Sequence, residues 1–322
     1  MERPVTAGGD TATGAAAADA GARAGAAAGA SRHPYRTMDV PVAGGALRVG
    51  IWDAVGPHTA DVLLVHGITS SHLAWPFVVD ALPDGVRAIA PDLRGRGASR
   101  DVQGPAGMAA HADDLAAVLD ALGIGSSVVV GHSMGAFVSV VLAARHPARV
   151  SRLLLVDGGL PLDVPPGLTP DEVVQSVLGA TADRLHMRFA DVAEYLAFWR
   201  AHPAFAADWS EPLERYLAYD LVPEDGALRP ATSYATTVED TIDLNTGTAI
   251  GDALARLAHP AVLLTAPRGL RDEQPGLYEE GHLAGLLAQH PEIRHERVPD
   301  VNHYTIVLAP EGASRVAALA AG

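Results

Sequence analysis

Cysteine is absent from the 322 residues, which excludes disulfides, thiolate metal shells and a cysteine nucleophile together. The absence also suits a cytoplasmic protein. Lysine is missing too: all 23 basic side chains are arginine, a pattern of coding bias rather than of chemistry. Aromatic residues make up only 5%, so aliphatic side chains and alanine must fill the core. No run of arginines offsets the formal charge of −15, and so acidic a surface repels phosphate backbones and anionic lipid headgroups. Neither nucleic acid nor a membrane surface is expected as a partner. The longest apolar stretch, Val128 to Ala144, contains Gly131, His132 and Ser133 and ends at Arg145, too short and too polar for a membrane span. Near the N-terminus, Asp10, Asp19 and Arg23 interrupt an Ala- and Gly-rich stretch. No signal peptide is expected there, and residues 1–33 read as a disordered tail.

What is present is a globular composition, 48% hydrophobic and 19% charged, in a chain long enough for one large domain with an insertion. Met38 to Val42 and Ala46 to Trp52 form a hairpin pattern about Gly44-Gly45. Short apolar runs of strand length recur at Val62–Val65, Val86–Ala90, Ser127–Val130, Leu153–Val156 and Val262–Leu264, with a less uniform one at Ile293–Val298. Helical patterns alternate with them at Leu73–Leu82, Met108–Leu122, Met134–Arg145, Tyr278–Gln289 and Tyr304–Ala320. Strands apolar on both faces and separated by helices predict an α/β fold with a mostly parallel sheet covered on both sides. The rhythm breaks between residues 160 and 258. There, helices such as Asp191–His202 and Glu211–Leu221 follow an entrance marked by Pro161, Pro165, Pro166 and Pro170. This segment reads as a helical lid inserted after the sixth strand, dividing the core into residues 34–159 and 259–322.

Gly131-x-Ser133-x-Gly135 follows a predicted strand and opens a predicted helix. A serine on so tight a turn has its hydroxyl lifted clear of the sheet, and the helix N-terminus offers unpaired N–H groups to a developing oxyanion. Such a turn tolerates only small neighbours. Four segments, in this order, resemble the α/β-hydrolase family: His66-Gly67-Ile68-Thr69, Pro91-Asp92-Leu93-Arg94-Gly95-Arg96-Gly97, Gly131 to Gly135, and Asn302-His303-Tyr304. The resemblance runs from about Tyr35 to the C-terminus.

It implies Ser133 as nucleophile and His303, on the loop after the last strand, as its base. The backbone N–H groups of Ile68 and Met134 are the implied oxyanion donors. The family's acid usually follows the seventh strand, which points to Asp272 in the segment running on from Ala261–Thr265. Glu273 beside it and Asp157, after Leu153–Val156, stay open as alternatives; Asp300 reads as a turn residue. Asp92 reads as structural, bonding loop N–H groups. The acids and histidines from Glu292 to His303 fit no zinc spacing. Trp75, Trp199 and Trp209 read as pocket, lid or core residues.

No dinucleotide fingerprint or phosphate loop is present, so no cofactor is implied. The expected partner is a small-molecule substrate. Its expected reaction is hydrolysis of a carboxylic ester or a related small apolar compound. The same triad serves C–C bond hydrolysis, perhydrolysis or cyclisation in relatives, and a non-catalytic ligand-binding protein is the alternative of another class. Relatives that open epoxides or remove halides carry Asp where this chain has Ser133.

Overall fold

The computed structural model describes residues 31–165 and 167–322. Eight strands form one sheet: β1 (Tyr35–Val42), β2 (Gly45–Trp52), β3 (Ala60–Val65), β4 (Val86–Pro91), β5 (Ser127–His132), β6 (Val150–Val156), β9 (Ala261–Thr265) and β10 (Ile293–Arg297). Their spatial order is β1-β2-β4-β3-β5-β6-β9-β10. The pairings β1–β2 and β2–β4 are antiparallel, and every pairing from β4 to β10 is parallel.

The alternation of side chains along a strand explains the layers. Leu63 and Val65 of β3, with Val129 and Leu155 from β5 and β6, face one core; Val62 and Leu64, with Val130 and Leu154, face the other. The first core is covered by α2 (Met108–Ala121) and α3 (Met134–Arg145), and the second by α1 (Pro76–Ala81) and α12 (Pro310–Ala321). Trp52 and Trp75, two of the few aromatics, are fully buried in the second core.

Among the described residues between β6 and β9 lie six α-helices, a 3-10 turn (Pro203–Phe205) and a small hairpin: α4 (Pro170–Leu178), α5 (Ala180–Arg184), α6 (Val192–Arg200), α7 (Glu211–Tyr219), β7 (Leu221–Glu224), β8 (Ala227–Pro230), α8 (Tyr234–Thr246) and α9 (Ala249–Leu254). The β7–β8 hairpin was not foreseen, because its four-residue strands are mostly half-exposed and carry no apolar alternation. Two predicted helices are also broken. Leu73–Leu82 begins as a short 3-10 turn, with the α-helix starting only at Pro76. Tyr304–Ala320 divides at Ala309 into α11 (Thr305–Leu308) and α12, since Pro310 has no N–H with which to continue the first helix. Of the expected disordered tail, residues 1–30 lie outside the described residues, as does Pro166. Arg32, however, donates to Asp84 at 2.6 Å and His33 is buried, so the ordered core starts slightly earlier than 34. Completing the chain, α10 spans Glu280–Gln289. No helix among the described residues is long and apolar enough to cross a membrane.

Candidate active site

Ser133 sits between β5 and α3 with φ 54° and ψ −126°, a conformation an L-residue adopts only at a cost of about 1–3 kcal/mol. The turn is over-determined. Ser133 N–H donates to Val156 O at 2.9 Å, and Ser133 O accepts from Ala136 N–H at 2.9 Å. The flanking glycines are required by space rather than by backbone angle. A Cβ on Gly131 would come within 2.3 Å of Gly135 O, and one on Gly135 within 2.0 Å of Val65 O. Although Ser133 occupies the N-cap position of α3, its side chain makes no cap bond, which leaves the hydroxyl for the cavity in front of it.

That cavity is also lined by Ile68, Met134 and His303. Met134 opens α3, so its N–H is one of the unpaired donors of a helix N-terminus. The Ile68 N–H shares a planar peptide with Gly67 O, and His66 holds that peptide. Leu93 N–H donates to His66 Nε2 at 2.9 Å, which leaves the ring proton on Nδ1 to be donated to Gly67 O at 2.7 Å. Burial pushes His66 down to about 4, so the ring is neutral and this tautomer persists. On the far side of Ile68, its carbonyl accepts from Arg96 Nε at 2.8 Å.

His303 follows β10 on a loop fixed at both ends of its own peptide unit. Its N–H donates to Arg268 O at 2.9 Å, and its carbonyl accepts from His132 Nε2 at 2.8 Å. Burial, with His303 alongside, pushes His132 down to about 3, so His132 is a neutral donor.

The carboxylate that meets His303 is Asp157. Its Oδ2 lies 2.7 Å from His303 Nδ1, and its Oδ1 accepts from Ala266 N–H at 3.1 Å. Asp157 is fully buried, in a left-handed conformation at φ 47° immediately after β6. This corrects the expectation for Asp272. That residue lies well past the end of β9, its side chain is 38% exposed, and its Oδ1 accepts from Arg268 Nε at 2.6 Å and Asn302 Nδ2 at 3.0 Å. Asp272 therefore steadies the residue before His303 and not the imidazole itself. β6 and β9 are neighbours, and Asp157 N–H continues their ladder to Leu264 O at 2.7 Å. The end of either strand thus opens toward the same imidazole.

Asp92 is occupied by the loop around it. His72 N–H and Nδ1 both lie 2.8 Å from Oδ1, while Ala98 N–H and Tyr219 O–H donate to Oδ2. Sequence reading missed Arg96 and Asp240, which are buried together with Arg96 Nη1 2.5 Å from Asp240 Oδ2. Arg96 stood inside a noticed motif, but nothing in the sequence pairs it with a residue so distant along the chain. Among the described residues no three His, Asp or Glu side chains converge as a metal shell.

The segment between β6 and β9 contributes Leu162, Thr181, Tyr216, Thr241, Leu244 and Asn245 to the cavity's lining. No Arg, Asp or Glu is among the described residues that line it. Its polarity comes from hydroxyls, one amide and the histidines His132 and His303.

A family profile described as alpha/beta hydrolase fold matches residues 62–275. Lipase LipV of Mycobacterium tuberculosis is 39% identical over 134 residues, 42% of this chain and 49% of the lipase, so the chain matches about half of that protein's length. A 2-(acetamidomethylene)succinate hydrolase of Mesorhizobium japonicum is 27% identical over 253 residues, 78% of this chain and 84% of that protein. A crystal structure of E-2-(acetamidomethylene)succinate hydrolase superposes with a TM-score of 0.71 at 23% identity, covering 87% of this chain and 97% of the other. At that identity the likeness speaks for the fold.

Proposed function

The chain belongs to the α/β-hydrolase fold family, and from that premise we propose that it is a serine hydrolase cleaving a carboxylic ester through an acyl-enzyme on Ser133. The observation that carries this reading is the 2.7 Å contact of His303 Nδ1 with buried Asp157, beside the cavity that Ser133 and His303 share. With its Nδ1 proton donated to Asp157, His303 presents Nε2 as the base. As Ser133 Oγ bonds the acyl carbon, its proton passes to Nε2 and the carbonyl oxygen becomes an oxyanion facing the N–H groups of Ile68 and Met134. Collapse breaks the C–O bond, and the alcohol leaves with the proton from His303. Water then gives a proton to His303 and its hydroxyl to the acyl carbon, and release of the acid returns the proton to Ser133. Residues 160–258 act as the lid, a reading supported by the six residues they contribute to the cavity's lining.

A second reading follows from the Mesorhizobium relative, whose name specifies a succinate. The uncharged cavity lining disfavours it. A carboxylate taken out of water without a cationic partner loses several kcal/mol. Two buried arginines outside the lining already face carboxylates: Arg184 pairs with Asp220 and Tyr195, and Arg96 with Asp240. The C–C bond and perhydrolysis reactions would use the same residues, and product analysis separates them from ester cleavage.

The test is stoichiometric labelling by a fluorophosphonate, with a panel of p-nitrophenyl esters of graded chain length. One equivalent on Ser133 is expected, with labelling and ester turnover both abolished in Ser133→Ala. A folded wild type that neither labels nor turns over any ester refutes the proposal.

A further inference from the structure

The most costly feature outside the triad is a pair of charges with no exposure to water. Arg96, on the loop after β4, and Asp240, within α8, are both fully buried, with Nη1 and Oδ2 2.5 Å apart. Arg96 spends its other contacts on backbone: Nε donates to Ile68 O at 2.8 Å and Nη1 to Arg94 O at 2.9 Å. Asp240 is likewise multiply held. Its Oδ1 accepts from Gly107 N–H at 2.7 Å and lies 2.9 Å from His111 Nε2, the latter on α2. Burial alone would raise the Asp240 pKa, but His111, Arg96 and the Gly107 N–H together hold it well below the carboxylate range.

A buried ion pair is weak evidence for stability. An apolar pair of the same volume commonly does as well or better, whereas removing one partner strands the other charge. Fold stability alone therefore gives no reason for this pair, and its placement supplies one. Arg96 holds the carbonyl of Ile68, which lines the cavity, while its counter-ion stands on a helix that contributes to the cavity's lining. Thr241 follows Asp240 directly, with Leu244 and Asn245 on the next turn of α8. The loop that carries one oxyanion donor is thus clamped by a cation whose charge is balanced by the lid segment.

We propose that Arg96 and Asp240 are positioning residues that make the geometry of the Ile68 oxyanion donor depend on the seating of α8 against the core. The proposal rests on Ile68 N–H acting as an oxyanion donor. With α8 displaced, Arg96 loses its counter-ion and turns toward water, and Ile68 O loses its donor. The hole then relaxes while Ser133, His303 and Asp157 stay in place. Substrate that fills the cavity packs against α8 and seats it, so binding and transition-state stabilisation are linked through one salt bridge.

Two variants of the full chain test this. Arg96→Met/Asp240→Leu replaces the ion pair by apolar side chains, and Asp240→Asn keeps shape while removing the charge. For each, kcat and KM on the best p-nitrophenyl ester, the thermal midpoint and the fluorophosphonate labelling rate are measured. Since complete removal of one oxyanion donor costs about 100- to 1000-fold in kcat, loosening it should lower kcat by about 10- to 100-fold. KM should change less than about 3-fold, and the double variant should lose some midpoint, because the Gly107 N–H, His111 and the Ile68 and Arg94 carbonyls lose these partners. If the folded double variant is as active as wild type, whatever its midpoint, the pair does not position the donor and the proposal falls. A loss confined to KM overturns it as well. Should the double variant fail to fold, Asp240→Asn with unchanged kcat gives the same refutation. A wild type that does not label at Ser133 refutes the serine-hydrolase reading instead.

Discussion

Asp157→Asn is the sharpest perturbation of the site, because the geometry dictates how the new amide must turn. Asp157 Oδ1 accepts from Ala266 N–H at 3.1 Å, and Oδ2 meets His303 Nδ1 at 2.7 Å. An asparagine that keeps the Ala266 bond must turn its NH2 toward His303. Nδ1 then has to accept, and the ring proton moves to Nε2, where it blocks proton transfer from Ser133. The flipped amide restores the productive tautomer but sets NH2 against the Ala266 N–H, leaving a buried donor unpaired at about 1–3 kcal/mol. Roughly one to two decades of rate are lost to that population. The rest comes from the missing negative charge beside the imidazolium, and the corresponding change in triads of this kind totals about 10⁴-fold in kcat. The expected loss here is about 10³–10⁴-fold, or about 4–5.5 kcal/mol. Asp272→Asn is the control. Its half-exposed ion pair with Arg268 contributes at most about 1 kcal/mol to stability, and its kcat should stay within about 3-fold of wild type. The assay is steady-state turnover of one p-nitrophenyl ester, with circular dichroism to verify folding. If Asp272→Asn loses the thousandfold and Asp157→Asn less than tenfold, the acid has been misassigned.

The cavity's lining predicts discrimination by charge: an ester whose acyl chain ends in a free carboxylate should react at least about 100-fold more slowly, by kcat/KM, than its methyl-capped counterpart. Equal rates for p-nitrophenyl hydrogen adipate and p-nitrophenyl methyl adipate would contradict this. Stability should fall on mild acidification. His66 and His132 have folded pKa values of about 4 and about 3, below the ordinary histidine value near 6.5, so the unfolded chain binds protons that the folded one refuses. Their contribution is intact above about pH 6.5 and declines below it, by up to about 1.4 kcal/mol per pH unit for each group. Carboxylates held low, such as Asp92 at about 2, contribute losses only below about pH 4, so the interval from 6.5 to 5 belongs to the histidines. Urea midpoints at pH 7.5, 6.0 and 5.0 read this out, and a flat profile refutes it.

The parallel sheet was legible because its strands are apolar on both faces. Val62–Val65 and Leu153–Val156 have no polar face and needed helices on each side, as the two cores show. The β7–β8 hairpin was hidden for the opposite reason. Its pairing is a property of two short segments meeting, and residues such as Val222 and Arg229 carry no signal of their own. The turn at Ser133 could be read because its constraints are local. Gly131 and Gly135 are small on account of atoms one turn away or on the next strand, and Ser133 lies between them.

The choice of Asp157 over Asp272 beside His303, and the pairing of Arg96 with Asp240, could not be read in this way, for a reason they share. What a carboxylate does is set by which donor faces it, and donors arrive through tertiary contacts. Asp272 has the expected place in chain order, but Arg268, four residues before it, captures it. Asp157 lies beside His303 because β6, β9 and β10 lie side by side, a neighbourhood created by looping the whole segment between β6 and β9 out of the sheet. Asp240 looks like an ordinary helix acid until α8 is laid against the loop that bears Arg96. In each case the sequence names the charged group, while the fold chooses its partner and so its role. The same logic gives the segment between β6 and β9 a part in both contacts. Its insertion point lies directly after Asp157, and its helix α8 carries Asp240. One segment thus begins beside the carboxylate that meets His303 and reaches, through Asp240, the Arg96 side chain that holds Ile68 O.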